Sequence, residues 1–232
     1  MTMLDMSEKT DTELKIDVLS ELEYEPGVEV AGIGVLVKDG TVTLNGYAAN
    51  YSKKWEAVRA VKRVAGVKAI VDDIEIKLLH PVLHTDGDIA AAAVQHIKWS
   101  SLIPAESIVV TVREGWITLD GEVEWCYQKN TAENVVRHLS GVKGVSNLIS
   151  IKPKPTTTAV ETTVETAIKS AFKRSALVDA EKIKVEAVGG EVTLRGNVLN
   201  FAELEEAERA AWAAPGVFLV NNQLTVKWVL TR

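Results

Sequence analysis

The 232-residue chain has a single cysteine, Cys126, so no disulfide forms within it. No apolar run approaches the roughly 20 residues needed to cross a bilayer; the longest resemble Ile89–Val94. Its first eight residues, Met1 to Glu8, have neither a basic start nor an apolar stretch, and so do not read as a secretory signal. The location expected from the sequence as written is cytoplasmic, and periplasmic if an export signal has been removed. Surplus positive charge is also missing. The formal net charge is −6 and the pI near 5.4, which argues against nucleic acid as a partner, because phosphate binding needs clustered basic groups. One local basic group, Lys53, Lys54, Arg59, Lys62 and Arg63, reads either as a basic face or as the solvated side of a helix.

With 47% hydrophobic residues and a mean hydropathy of +0.06, the chain reads as soluble and globular, long enough for two or three cores. It repeats itself. Val37-Lys38-Asp39-Gly40-Thr41-Val42-Thr43-Leu44-Asn45-Gly46 recurs as Val112 to Gly121 and again as Ala187 to Gly196, each step being 75 residues. The same shift superposes Gly66-Val67, Gly141-Val142 and Gly216-Val217.

Each copy opens with an amphipathic helix, marked by Leu14 and Leu22, Ile89 and Ile97, Val164 and Phe172. Alternation at Ile33/Val35/Val37, Ile108/Val110/Val112 and Ile183/Val185 predicts a first strand. Gly40, Gly115 and Gly190 supply a tight hairpin turn, and a second strand ends at Gly46, Gly121 and Gly196. A second helix follows, with inward stripes beginning at Tyr51, Cys126 and Phe201, and Gly66, Gly141 and Gly216 stop it. The third strand carries Ile74/Ile76/Leu78, Ile149/Ile151 and Leu224/Val226/Trp228. The fold class is therefore α+β: three tandem α-β-β-α-β two-layer modules, each a three-stranded sheet with two helices on one face, over residues 8–79, 85–152 and 160–229. The uncovered sheet face is where packing between repeats, or contact with a ligand, is expected.

The pattern Gly-x-Val-Thr-Leu-x-Gly, then a helix, Gly-Val and a strand holding Asn147 or Asn222, resembles the BON domain. Three copies at one spacing cover residues 8 to 229 and are similar to osmotically inducible multi-BON proteins of bacteria. The resemblance implies a transport-associated, osmotic-stress role. It further implies anionic phospholipid binding in some members, and potassium binding in others that also carry a LysM domain, of which this chain shows no sign.

No enzyme chemistry recurs with the repeats. The hairpin glycines span a strand and do not form a phosphate cradle. His80 and His84 bracket a linker without a third ligand, so neither a metal nor a cofactor is expected. Cys126 aligns with Tyr51 and Phe201 and reads as a core filler. Asp72, Asn147 and Asn222 should point toward the helices, where a polar group needs partners, and are expected to close the preceding loop. Aromatics gather in the second repeat as Trp99, Trp116, Trp125 and Tyr127. Trp116 takes the outward strand phase, so it either packs on a neighbouring repeat or meets a ligand; Trp116, Trp125 and Tyr127 are the candidate binding residues. The expected function is non-enzymatic binding of anionic phospholipid or a membrane surface, with a protein-binding or chaperone-like scaffold as the alternative and potassium binding third. No oligomeric state is implied.

Overall fold

The computed structural model describes residues 9–77, 84–152 and 161–227. Leu78, His80 and Trp228, singled out in the sequence, lie outside the described residues. Module one runs α1 (Asp11–Tyr24), β1 (Ile33–Lys38), β2 (Thr41–Ala48), α2 (Tyr51–Arg63) and β3 (Ala69–Ile76). Module two repeats this as α3 (Asp86–Trp99), β4 (Ile108–Arg113), β5 (Trp116–Val123), α4 (Cys126–Arg137) and a third strand broken into β6 (Gly144–Asn147) and β7 (Ser150–Ile151). Module three comprises α5 (Glu161–Arg174), β8 (Ile183–Val188), β9 (Glu191–Val198), α6 (Phe201–Trp212) and β10 (Leu219–Val226). In each the hairpin strands pair antiparallel, and the second helix crosses over so that the third strand joins the second in parallel.

Local chemistry explains these boundaries. Thr10 and Thr85 cap α1 and α3 in capping boxes with Glu13 and Asp88. The hairpin turns have both central residues at positive φ, Asp39 and Gly40 at 52° and 77°, Glu114 and Gly115 at 53° and 81°. That is the turn whose twist matches a hairpin's strands. The first helix is docked on this turn by its leading carboxylate. Asp11 accepts from the amides of Asp39 at 2.8 Å and Gly40 at 2.9 Å, and Asp86 does the same to Glu114 and Gly115 at 2.7 and 2.8 Å.

The amides of Gly40 and then Asp39 hold the Asp11 carboxyl below its ordinary value of 3.8. A depressed folded-state pKa gives stability that is complete above the unfolded value and is lost as pH falls through the folded one. Asp11→Asn is expected to lower the Tm at neutral pH and to flatten its decline below about pH 4. A thermal melt series from pH 7 to pH 2 checks this, and an acid limb as steep as the parent's would count against the carboxylate.

Each module has its own core. Leu14, Val18 and Leu22 of α1 meet Val42 and Leu44 of β2 and Ala57 and Val61 of α2; Ile89, Ala93, Ile117, Leu119 and Val136 build the second, and Ile168, Phe172, Leu194 and Ala211 the third. Alanines on the inward stripe of the second helix let it lie close to the sheet.

The modules join by the ends of their second helices, not by the open sheet faces where repeat packing was expected. Tyr51, at the start of α2, packs against the core of module two. One turn on, Trp55 meets Arg137 of α4, whose guanidinium lies 3.8 Å from the ring centroid, and Ser52 Oγ is 2.7 Å from His138 Nδ1. The equivalent residues of module three meet module one. Phe201 packs against the first core, Glu205 pairs with Lys62, and Asn200 donates to the Arg63 carbonyl at 3.0 Å. Between modules two and three the Cys126 thiol feels the charge of Glu208, as the Tyr51 hydroxyl feels that of Glu133. The contact made from module one to module two recurs from three to one, and the same helix position in module two, Cys126, is directed toward Glu208 of module three, so the arrangement runs head to tail and returns to its start after three copies. Tyr51, Cys126 and Phe201, expected in their own cores, belong to these junctions. A residue at the first position of the second helix overhangs its own sheet and reaches the next module.

Candidate ligand-contact face

Both helices of each module cover the same side of its sheet, so the other side carries whatever the strands turn outward. In module one a row across all three strands reads Leu36, Thr43, Val71; in module two Thr111, Thr118, Ser146; in module three Glu186, Thr193, Asn221. The next row is Lys38, Thr41, Ala69 in module one, Arg113, Trp116, Gly144 in module two and Val188, Glu191, Leu219 in module three.

Trp116 is the first residue of β5 and 50% exposed. Its indole lies over Gly144 on the neighbouring strand, where a Cβ would stand 2.6 Å from the ring. Its Nε1 donates to Ser146 Oγ at 2.9 Å. The ring is therefore fixed by its own module, not packed on another, and one π-face is left outward. A shallow depression of about 490 Å³ beside it is lined by Thr111, Arg113, Glu114, Trp116, Thr118 and Lys143. Neither Arg113 nor Lys143 makes an ion pair among the described residues.

The structure does not bring the three candidate aromatics together. Trp125 and Tyr127, 37% and 52% exposed, lie at the start of α4 beyond the far end of β5. An eight-residue strand at about 3.3 Å per residue separates them from Trp116 by some 25 Å. Trp99, also exposed, ends α3 with its ring 6.0 Å from that of His96.

The basic group on α2 does not form a free face. Lys53 pairs with Glu29, Lys54 with Asp72, Lys62 with Glu205, and Arg63 with Glu21 and Glu25, while Arg59 lies 5.4 Å from the Trp55 ring. The missed feature is Arg137, 5% exposed, stacked on Trp55 and held by Glu133 at 3.4 Å. Burial pulls its pKa down, with Glu133 opposing.

Asp72, Asn147 and Asn222 tie the third strand to the second helix rather than to the preceding loop. Asn147 donates to the Lys129 carbonyl at 2.9 Å and to Glu133 at 3.2 Å, and Asn222 donates to Glu208 at 2.9 Å. Where the strand carries Asp72, Lys54 supplies the opposite charge at 3.2 Å. Burial, then the charge of Glu208, pushes the Cys126 thiol up, away from nucleophilic chemistry. Among the described residues no group of three or more His, Cys, Asp or Glu side chains could hold a metal ion, and no helix is long and apolar enough to cross a membrane.

Fold and surface together define an array of small α/β modules that present differently decorated open sheets. The chain belongs to the BON domain family, which matches residues 10–77, 85–153 and 161–227. It is 25% identical over 146 residues, 61% of this chain and 73% of the other, to osmotically-inducible protein Y of Escherichia coli (strain K12). A structure of CdsD, a structural protein of the type III secretion system of Chlamydia trachomatis, aligns at 16% identity over 91% of each chain with a TM-score of 0.26. That likeness is too loose to bear on how the modules are arranged.

Proposed function

We propose that the chain is a non-enzymatic, stress-associated binding protein that contacts anionic phospholipid surfaces through the outer face of module two. The observation that carries this is Trp116, a fixed and half-exposed indole flanked by Arg113 and Lys143. An indole with nearby cations suits the interfacial zone of an anionic membrane, where each basic group near the surface contributes about 1 kcal/mol. The similarity to a protein named for osmotic induction supports the stress association.

Flotation with vesicles tests the reading. At low salt the chain is expected to float with phosphatidylglycerol-containing vesicles and not with phosphatidylcholine alone, and to be released near 0.5 M salt, where the Debye length has shrunk to about 4 Å. Trp116→Ala should weaken binding roughly fivefold, the scale of losing a cation–π or stacking contact of about 1 kcal/mol. Absence of flotation at low salt would exclude the lipid reading. The row Leu36, Thr43, Val71 on module one favours a second one, a scaffold whose open sheet docks another protein. In that case a specific partner would be recovered without any vesicle binding.

A further inference from the structure

We infer that Trp116 is a headgroup platform rather than a membrane anchor: it stacks the polyol of an anionic lipid headgroup and does not enter the acyl layer. The inference rests on the lipid reading above and specifies which part of the lipid the site takes. A tryptophan that inserts must be free to swing outward. This one is held down, its six-membered ring over Gly144 and its N–H spent on Ser146. What it offers is a flat apolar face parallel to the sheet.

The surrounding groups suit a phosphorylated polyol. Arg113 is the direct cross-strand neighbour of Trp116, and Lys143 precedes Gly144 on the other side, so the indole has a cation on both flanks to receive a phosphate. Thr111 and Thr118 face each other across the strands and place hydroxyls in the same depression. Glu114 also lines it. A carboxylate there opposes a bare anion but accepts hydrogen bonds from hydroxyls, so it favours a headgroup bearing both. The C–H face of glycerol or inositol then rests on the indole. Modules one and three, with Thr41 and Glu191 at this position, cannot offer the same surface.

Gly144→Ala separates platform from anchor. A methyl group at 144 forces the indole off the sheet without removing it, and no positive φ stands against alanine there. A platform loses affinity when its ring is lifted; an anchor gains. The full chain, Gly144→Ala, the milder Ser146→Ala and Trp116→Phe would be titrated with vesicles containing phosphatidylinositol or phosphatidylglycerol, the same vesicles with brominated acyl chains, and soluble inositol 1-phosphate and glycerol 1-phosphate. Circular dichroism would confirm that each variant folds, Ser146→Ala standing in if Gly144→Ala does not. The expected result is weaker vesicle binding for Gly144→Ala and Ser146→Ala, an emission change with the soluble phosphates that Trp116→Phe abolishes, and no bromine quenching assignable to Trp116. Quenching by brominated chains, or tighter binding after Gly144→Ala, would overturn the platform while leaving lipid binding intact. A response to the soluble phosphates without vesicle binding would keep the platform and reject the membrane as its source. No response to either would reject both.

Discussion

Phe201→Asp is expected to open the ring between modules three and one, lowering stability by about 2–4 kcal/mol and enlarging the molecule in solution. Full truncation of a buried phenylalanine costs about 3–5 kcal/mol. Phe201 is only partly buried, but it packs against the core of module one, and a carboxylate there would also lose its hydration. The rest of the junction holds little against that loss. Lys62 with Glu205 is a solvent-accessible pair on the scale of 0–1 kcal/mol, and Asn200 to the Arg63 carbonyl, with the Gly66 amide donating to the Leu199 carbonyl at 3.4 Å, adds two neutral hydrogen bonds. Small-angle scattering should show a larger radius of gyration, and calorimetry a separate unfolding step for module three. If Phe201→Asp lowered the Tm but left the radius unchanged, the other two junctions would be holding the ring. The equivalent change at Cys126, a smaller side chain only half buried, should cost less.

The period of 75 residues made the number of modules, the order of elements and the hairpin turns legible, because a repeat reports the same backbone three times. What it could not report is which module a side chain serves. Tyr51, Cys126 and Phe201 continue the apolar stripe of their helices, and periodicity is blind to whether the surface they meet is their own sheet or the next one's. A signal was present in paired differences: Trp55 faces Arg137 where Glu205 faces Lys62, so one position changes in step with another 82 residues ahead or 143 behind. At the candidate site the outward phase of Trp116 could be read from alternation. Its fixation could not, since it depends on the register that sets Trp116 opposite Gly144 and two pairs short of Ser146. Trp125 and Tyr127 are near Trp116 in sequence, yet a full strand length divides them.

The strand glycines give the other large effect. Gly46, Gly121 and Gly196 read as strand ends, but β2, β5 and β9 each continue two residues further. All three are in the positive-φ region, at 108°, 133° and 140°. Each sits against the chain entering the first strand, so that a Cβ would fall 2.1 Å from the Gly32 carbonyl oxygen, 2.0 Å from that of Ser107 and 2.0 Å from that of Lys182. All three obstacles are backbone carbonyls entering the edge strand, and each glycine lies in the central strand, so neither side can move alone. Gly196→Ala is therefore expected to cost roughly 3 kcal/mol or more, combining a strained φ with a close contact. In a module of this size that corresponds to a fall in Tm of at least about 10 °C. Gly189→Ala is the control. Its φ is also positive, at 58°, but nothing lies within 4 Å of an added Cβ, and its counterparts Asp39 and Glu114 hold nearly the same φ without being glycine. It should cost about 1 kcal/mol or less. Equal losses at the two positions would mean that a positive φ of any value decides; a large loss confined to Gly196 would locate the requirement in its φ of 140° together with the close approach of β9 to the Lys182 carbonyl.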